Sequence, residues 1–228
     1  MSTPPRLSIE IWSDVMCPWC VIGYRALTRA LETLDGEIAA TVRWRPFELN
    51  PDMAPEGEEM TAHIARKYGR APDPAATAHM VDLAARVGYD MRYLGPEPEP
   101  KRRLWNTLSA HKLLRWALDT AGPEAQTRLK LALFDAHFQQ RRNVSDPAVL
   151  IAVASDIGLD PIAAESALAD DRLTHAVRSE QAEAREGEIT GVPAMVIEDR
   201  YLIPGAQEPD VYVSVLRRVV ARAGLEQA

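Results

Sequence analysis

Cys17 and Cys20 are the only two cysteines in 228 residues, separated by Pro18 and Trp19. Two thiols this close suit disulfide exchange, in which one thiolate attacks a disulfide and a neighbouring thiol resolves the mixed disulfide. Pro18 fits the first helical position, where its missing N–H costs nothing. Cys17 is then the expected helix N-cap, its sulfur near the free N–H groups of Trp19 and Cys20. Those donors and the partial positive charge of the helix terminus favour thiolate, which in such settings lowers a cysteine pKa from about 8.5 to roughly 3.5–7.5. The expected roles follow from position. Cys17 attacks, and Cys20, one turn further in, is more buried, less ionised and resolves.

Three plainer readings compete. A structural disulfide closing a ring over two intervening residues removes little unfolded-chain entropy. A structural zinc ion needs about four ligands, yet there is no second cysteine pair, and His63, His79, His111, His137 and His175 are scattered without paired spacing. Two incidental cysteines at a strand–helix junction would need no chemistry at all. A strand–C-x-x-C–helix order in a chain without other cysteines favours the redox reading.

The elements that must hold this pair are legible nearby. Leu7–Ser13 alternates Ile9 and Ile11 with Ser8 and Glu10 and reads as a strand. A helix is expected from Pro18 to about Leu34, ended by Asp35-Gly36, and a second strand over Ala40–Pro46. From about Pro51 to Leu173 the strand signal disappears. Segments 58–68, 74–87, 101–120, 123–140, 146–157 and 161–168 carry helical spacing, with Pro96–Pro100 as a stiff connector. A helix over about 172–186, strands over 194–197 and 201–203 and a last helix over about 209–223 follow. The expected fold class is α/β; the order strand–CPWC–helix–strand, helical block, GVP–hairpin–helix resembles a thioredoxin-like fold, with residues 1–50 and 172–228 as the thioredoxin-like domain and residues 51–171 as a large all-helical insertion.

Composition narrows the function. With 46% hydrophobic residues, wholesale disorder is excluded. A net charge of −7 and no long Lys/Arg block disfavour nucleic acid, and no apolar run approaches a membrane span. Residues 1–8 hold no apolar signal segment, so a cytoplasmic setting is expected.

Further candidates cluster around the pair. In Gly191-Val192-Pro193, a proline just before a strand suits a cis bond or a strand entrance, and a cis Val192–Pro193 bond would set Val192's backbone beside the sulfurs. Trp19, if exposed, offers an apolar platform to a substrate, while Trp12 and Trp44 read as core. Met16 is either an apolar lip beside Cys17 or gap filler. Asn106 and His111 either line a groove facing Cys17, with His111 carrying a proton, or cap and pack the helices. Asp14 would raise the sulfur's pKa if it pointed inward and otherwise caps its loop.

Five blocks resemble the FrnE-like branch of the DsbA family, in order and over nearly the whole chain: SDVMCPWCVIGYRAL (13–27), RPFELNP (45–51), NTLSAHKLL (106–114), LFDAHFQQRRNVSD (133–146) and GVPAMVIEDRYLIPGAQ (191–207). The resemblance implies a thioredoxin fold and thiol–disulfide exchange with protein or small-molecule disulfides. It matches Cys17 to the attacking cysteine, Cys20 to the resolving one and Pro193 to the cis-proline, with Pro18, Trp19 and Val192 on the substrate side. It implies no cofactor beyond a redox-active Cys17–Cys20 disulfide, with glutathione as an open co-substrate and Gln207 in reach of such a ligand by analogy. A homodimer is left open. Trp19 stands where the periplasmic DsbA pattern has histidine, and cannot add charge to stabilise the thiolate, so a less oxidising couple is expected. Related 2-hydroxychromene-2-carboxylate isomerases and kappa-class glutathione transferases carry serine at the first cysteine. A glutathione-dependent isomerase or transferase is therefore one alternative, and a redox-independent chaperone-like binding module another.

Overall fold

The computed structural model describes residues 4–226. Along the chain run β1 (Arg6–Ser13), α1 (Pro18–Thr33), β2 (Ala39–Pro46), β3 (Glu58–Glu59), α2 (Met60–Tyr68), α3 (Pro74–Arg86), β4 (Arg103–Leu104), α4 (Leu108–Phe138), α5 (Pro147–Asp156), α6 (Pro161–Ala169), α7 (Asp171–Glu186), β5 (Ala194–Ile197), β6 (Tyr201–Pro204) and α8 (Pro209–Glu226). Four strands form one sheet in the order β2-β1-β5-β6. β1 runs parallel to β2, with Ile11 opposite Trp44, and antiparallel to β5, with Ile11 opposite Met195. This is a thioredoxin-type sheet.

Several helices start from the same local chemistry. Asp73, Asp146 and Asp160 each precede a proline, and each side chain accepts the amide two residues on, at 2.9 Å. The proline supplies the first helical φ while the aspartate satisfies a free N–H. Cys17-Pro18 opens α1 in the same register, with sulfur where the other helices hold a carboxylate.

Between β2 and β5 the regular structure is helical except for one short ladder, in which Glu58 faces Leu104 and Glu59 faces Arg103, so the stretch expected to be all-helical is not entirely so. Two residues per strand are too few to show alternation, so the sequence pattern reads straight across them. Gly57 makes the ladder possible. It has φ +64°, and a Cβ there would stand 2.2 Å from Leu104 O and 2.5 Å from the Trp105 ring. The segments expected as separate helices at 101–120 and 123–140 correspond to the two halves of α4, broken at Gly122 (φ 81°, ψ 179°) ahead of Pro123, except that residues 101–107 are not helical and α4 begins at Leu108.

Two cores meet behind Cys17. One packs Ile9 and Ile11 of β1 against α1 and α8, and takes in Tyr89, Met91 and Phe134 from the helical stretch. The other lies among α4, α5 and α6, around Leu113, Leu129, Leu133 and Leu150, and it includes Val15 and Met16. The loop carrying the cysteines is thus anchored from both sides. Among the described residues no helix is long and apolar enough to cross a membrane.

Candidate active site

Cys17 ends the loop after β1 with extended backbone (φ −84°, ψ 113°) and occupies the N-cap of α1. Its amide bonds Asp14 O at 3.2 Å, and its own carbonyl accepts the Cys20 amide at 3.1 Å. The expected capping contact is not made. The Cys17 side chain forms no cap hydrogen bond, and Sγ donates instead toward Val192 O at 3.6 Å. The Val192–Pro193 peptide is cis, and Pro193 O accepts the Gly205 amide at 2.8 Å. Gly23 of α1 lets this loop close in, since a Cβ there would sit 3.2 Å from Pro193 Cγ.

Both thiols are free and buried, Cys17 at 3% exposure and Cys20 at 0%. Ionisation runs opposite to the positional expectation. The hydrogen bond with Cys20, followed by burial, pushes the Cys17 thiol well up, with Asp14's charge adding to it. Burial alone would raise Cys20 too. There the hydrogen bond from Cys17, the Lys130 charge and the neighbouring Ser13 hydroxyl outweigh it and hold Cys20 below its ordinary value. The two thiols therefore titrate together, with Cys17 pushed up and Cys20 held down by each other and by the groups around them. Helix-terminus reasoning missed this because it left out the floor of the site.

Lys130 forms that floor. Its side chain is fully buried, with Nζ 3.4 Å from Ser13 O and over the rings of Phe134 (5.0 Å) and Trp44 (5.2 Å). Burial pushes its pKa down to about 8, against the pull of Cys20 and Asp14. Asp14 is also sealed; burial raises its pKa, while its carboxylate accepts the Leu49 amide at 2.7 Å and the Met16 amide at 3.3 Å. Asp14 is thus both a loop cap and a charge near the sulfurs. The sequence did carry a signal for Lys130, because a lysine one turn before Phe134 falls on the buried stripe of α4.

Beside Cys17 opens a cavity of about 490 Å³, lined by Met16, Cys17, Pro18, Trp19 and Val192 on one side and by α2, α3, β4 and the end of α4 on the other. Trp19 is 40% exposed, as an apolar platform requires, whereas Trp12 and Trp44 are buried. Met16 holds the loop to the helical stretch, its Sδ accepting the Trp105 amide at 2.9 Å. His137 lines the cavity and is held neutral, its pKa pushed down to about 3 by burial and by Arg141.

Three sequence candidates lie elsewhere. Asn106 donates to Met53 O and accepts the Leu108 amide, so it opens α4 and ties down a loop rather than facing the cavity. His111 is sealed behind the dithiol, 3.9 Å from Asp14, and burial and Lys130 keep it neutral, which removes it from the groove. Gln207 donates to Pro204 O at 2.8 Å within its own loop and does not line the cavity. The helix expected at Asn106 begins only at Leu108, and for His111 helical phase does not say which of two cores a helix faces.

A free dithiol at the tip of a central parallel strand, facing a cis-prolyl loop, defines a thioredoxin-type thiol site. The chain belongs to the DSBA-like thioredoxin domain family, which it matches over residues 8–217. It is 29% identical over 210 residues to the uncharacterized protein YwbO of Bacillus subtilis, spanning 90% of this chain and 92% of that one. Its fold is similar to that of the probable DsbA oxidoreductase SCO1869 of Streptomyces coelicolor (TM-score 0.82, 29% identity, 94% of this chain and 90% of that one). It is also similar to the cytosolic disulfide reductase DsbM of Pseudomonas aeruginosa with glutathione (TM-score 0.60, 17% identity, 94% of this chain and 100% of that one).

Proposed function

We propose that this protein is a dithiol–disulfide oxidoreductase in which Cys17 attacks and Cys20 resolves. The observation that carries this reading is the placement of Cys17, which lines a 490 Å³ cavity next to the cis Val192–Pro193 peptide, with the Cys20 thiol buried in the first turn of the helix that Cys17 caps. A substrate disulfide R–S–S–R enters the cavity beside Trp19 and Val192. Cys17 passes its proton to the Cys20 thiolate and attacks; a Cys17–S–S–R bond forms and RS⁻ leaves. The departing thiolate takes the proton from Cys20, whose sulfur then attacks Cys17 Sγ and expels the second RS⁻. Two electrons have moved to the substrate, leaving a Cys17–Cys20 disulfide. Run backwards, the same steps oxidise a substrate dithiol.

Replacing Cys20 with Ser traps a mixed disulfide on Cys17, and replacing Cys17 with Ser abolishes turnover. If Cys20→Ser keeps full turnover and traps nothing, the cycle is wrong. Glutathione is the co-substrate we favour in a cytoplasmic setting, and the glutathione held by the DsbM neighbour supports it. With Trp19 between the cysteines in place of histidine, the reduction potential against glutathione lies below that of periplasmic DsbA, in keeping with a FrnE-like branch. A potential as high as the periplasmic enzyme's contradicts this.

A further inference from the structure

The far wall of the Cys17 cavity is cationic in a chain that is acidic overall. Four of its lining residues are Lys67, Arg102, Arg103 and Arg141, and no aspartate or glutamate lines it. Two of these cations are neutralised in place, since Glu99 pairs with Arg141 at 2.8 Å and with Arg102 at 3.7 Å. The other two are not. Lys67 Nζ donates only to neutral oxygens, Leu49 O at 3.1 Å and Asn50 Oδ1 at 2.7 Å. Arg103 donates to the backbone oxygens of Glu56 and Gly57, with its guanidinium 5.2 Å from the centre of the Trp105 ring. The two carboxylates of β3 are committed elsewhere: Glu58 to Arg66 and His63, and Glu59 to the Ala62 amide that opens α2. Lys67 and Arg103 thus project charge and spare N–H donors into the cavity without a carboxylate to answer them.

We infer that this wall selects small disulfides that carry carboxylates, with Lys67 and Arg103 as the residues that read the charge. The inference rests on the proposed exchange at Cys17 and adds its substrate class. A volume of about 490 Å³ suits a small molecule, within the roughly 300–1,000 Å³ of typical ligand sites. At a net charge of −7 the rest of the surface disfavours an anion, so its affinity must come from local cations. The two residues belong to α2 and β4, joined through the short β3–β4 ladder. The cationic wall therefore sits on an element that is separate from the one bearing the sulfurs.

The test compares kcat/KM for 3,3′-dithiodipropionate (dianionic), bis(2-hydroxyethyl) disulfide (neutral) and cystamine (dicationic), with dithiothreitol as reductant. The expected order is anionic, then neutral, then cationic. Two exposed ion pairs acting together make the anionic-to-neutral ratio about tenfold, and it shrinks with added salt. In the double variant Lys67→Met, Arg103→Met the ratio falls toward one, while Lys67→Arg, Arg103→Lys retains it. Both residues are exposed, so folding is not at stake. Equal rates for the three disulfides, or a ratio that survives the methionine variant, overturn the inference. If no disulfide is turned over at all, the exchange reading has failed instead. Calorimetric binding of dithiodipropionate then decides the wall separately: binding lost in the methionine variant supports it, and binding absent or unchanged overturns it.

Discussion

The two sides of Cys17 differ in how they handle charge. On the floor, Lys130, Asp14 and Cys20 have no exposure at all, and each group's ionisation is set by burial against three or four fixed partners. On the cavity side, Lys67 and Arg103 are exposed, bonded to neutral oxygens, and free to answer an incoming group. Desolvated charges interact strongly and belong to the reacting atoms, whereas solvated ones are screened and act mainly on what approaches. Reactivity should therefore be governed from below and selectivity from the side.

The largest expected effect separates the two. Lys130→Met removes the cation beside Cys20, so the alkylation midpoint of the dithiol moves up by about one pH unit or more, and exchange slows for disulfides of every charge. The sign follows from Lys130's own titration. With its pKa pushed down to about 8, it carries charge below that pH and not above, so the defect is greatest under pH 8 and closes as pH rises. A defect confined to anionic disulfides would erase the distinction between floor and wall. Conversely, a shifted alkylation midpoint in Lys67→Met would show that the wall tunes the sulfurs as well.

A second effect concerns stability. His137 is held neutral in the fold, pushed down to about 3 against an ordinary 6.5. The unfolded chain takes up a proton that the native one refuses, so stability falls as pH drops from 6.5 toward 3, by roughly 1.4 kcal/mol for each pH unit in that window. His137→Leu flattens this part of the curve, as followed by urea denaturation at pH 4 and pH 7. Equal acid sensitivity in the variant would place the titration elsewhere. More modestly, Asp14→Asn removes a charge that raises Cys17 while keeping an acceptor for the Leu49 amide, so the Cys17 thiol in a Cys20→Ser background alkylates at a lower pH. The smallest change is expected for Trp19→Ala, a two- to threefold rise in KM, about 0.5 kcal/mol, from the loss of apolar contact surface.

Much of this was legible along the chain because the signals are local. The sheet strands and α1 announce themselves by alternation, by Pro18 and by Asp35-Gly36, and three further helix starts by the same Asp-Pro chemistry at positions 73, 146 and 160. The C-x-x-C and the Val192-Pro193 loop could be singled out for the same reason. The β3–β4 ladder could not, because two residues carry no period. Of the two readings open for Asn106 and His111, the structure takes the capping and packing one: Asn106 lies just before α4 and accepts the Leu108 amide, and His111 is buried on α4, since a helix packed between two cores has no unique inside face.

By itself, then, the order of residues determined which sulfurs stand at a helix start and which strands flank them, because those are short-range matters of φ, period and hydrogen-bond supply. Only the tertiary structure decided which way each sulfur's ionisation is pushed and which cations line the cavity. Lys130 lies 110 residues from Cys20 and Arg103 lies 86 from Cys17, and electrostatic influence depends on distance and burial in space, neither of which is written in sequence separation.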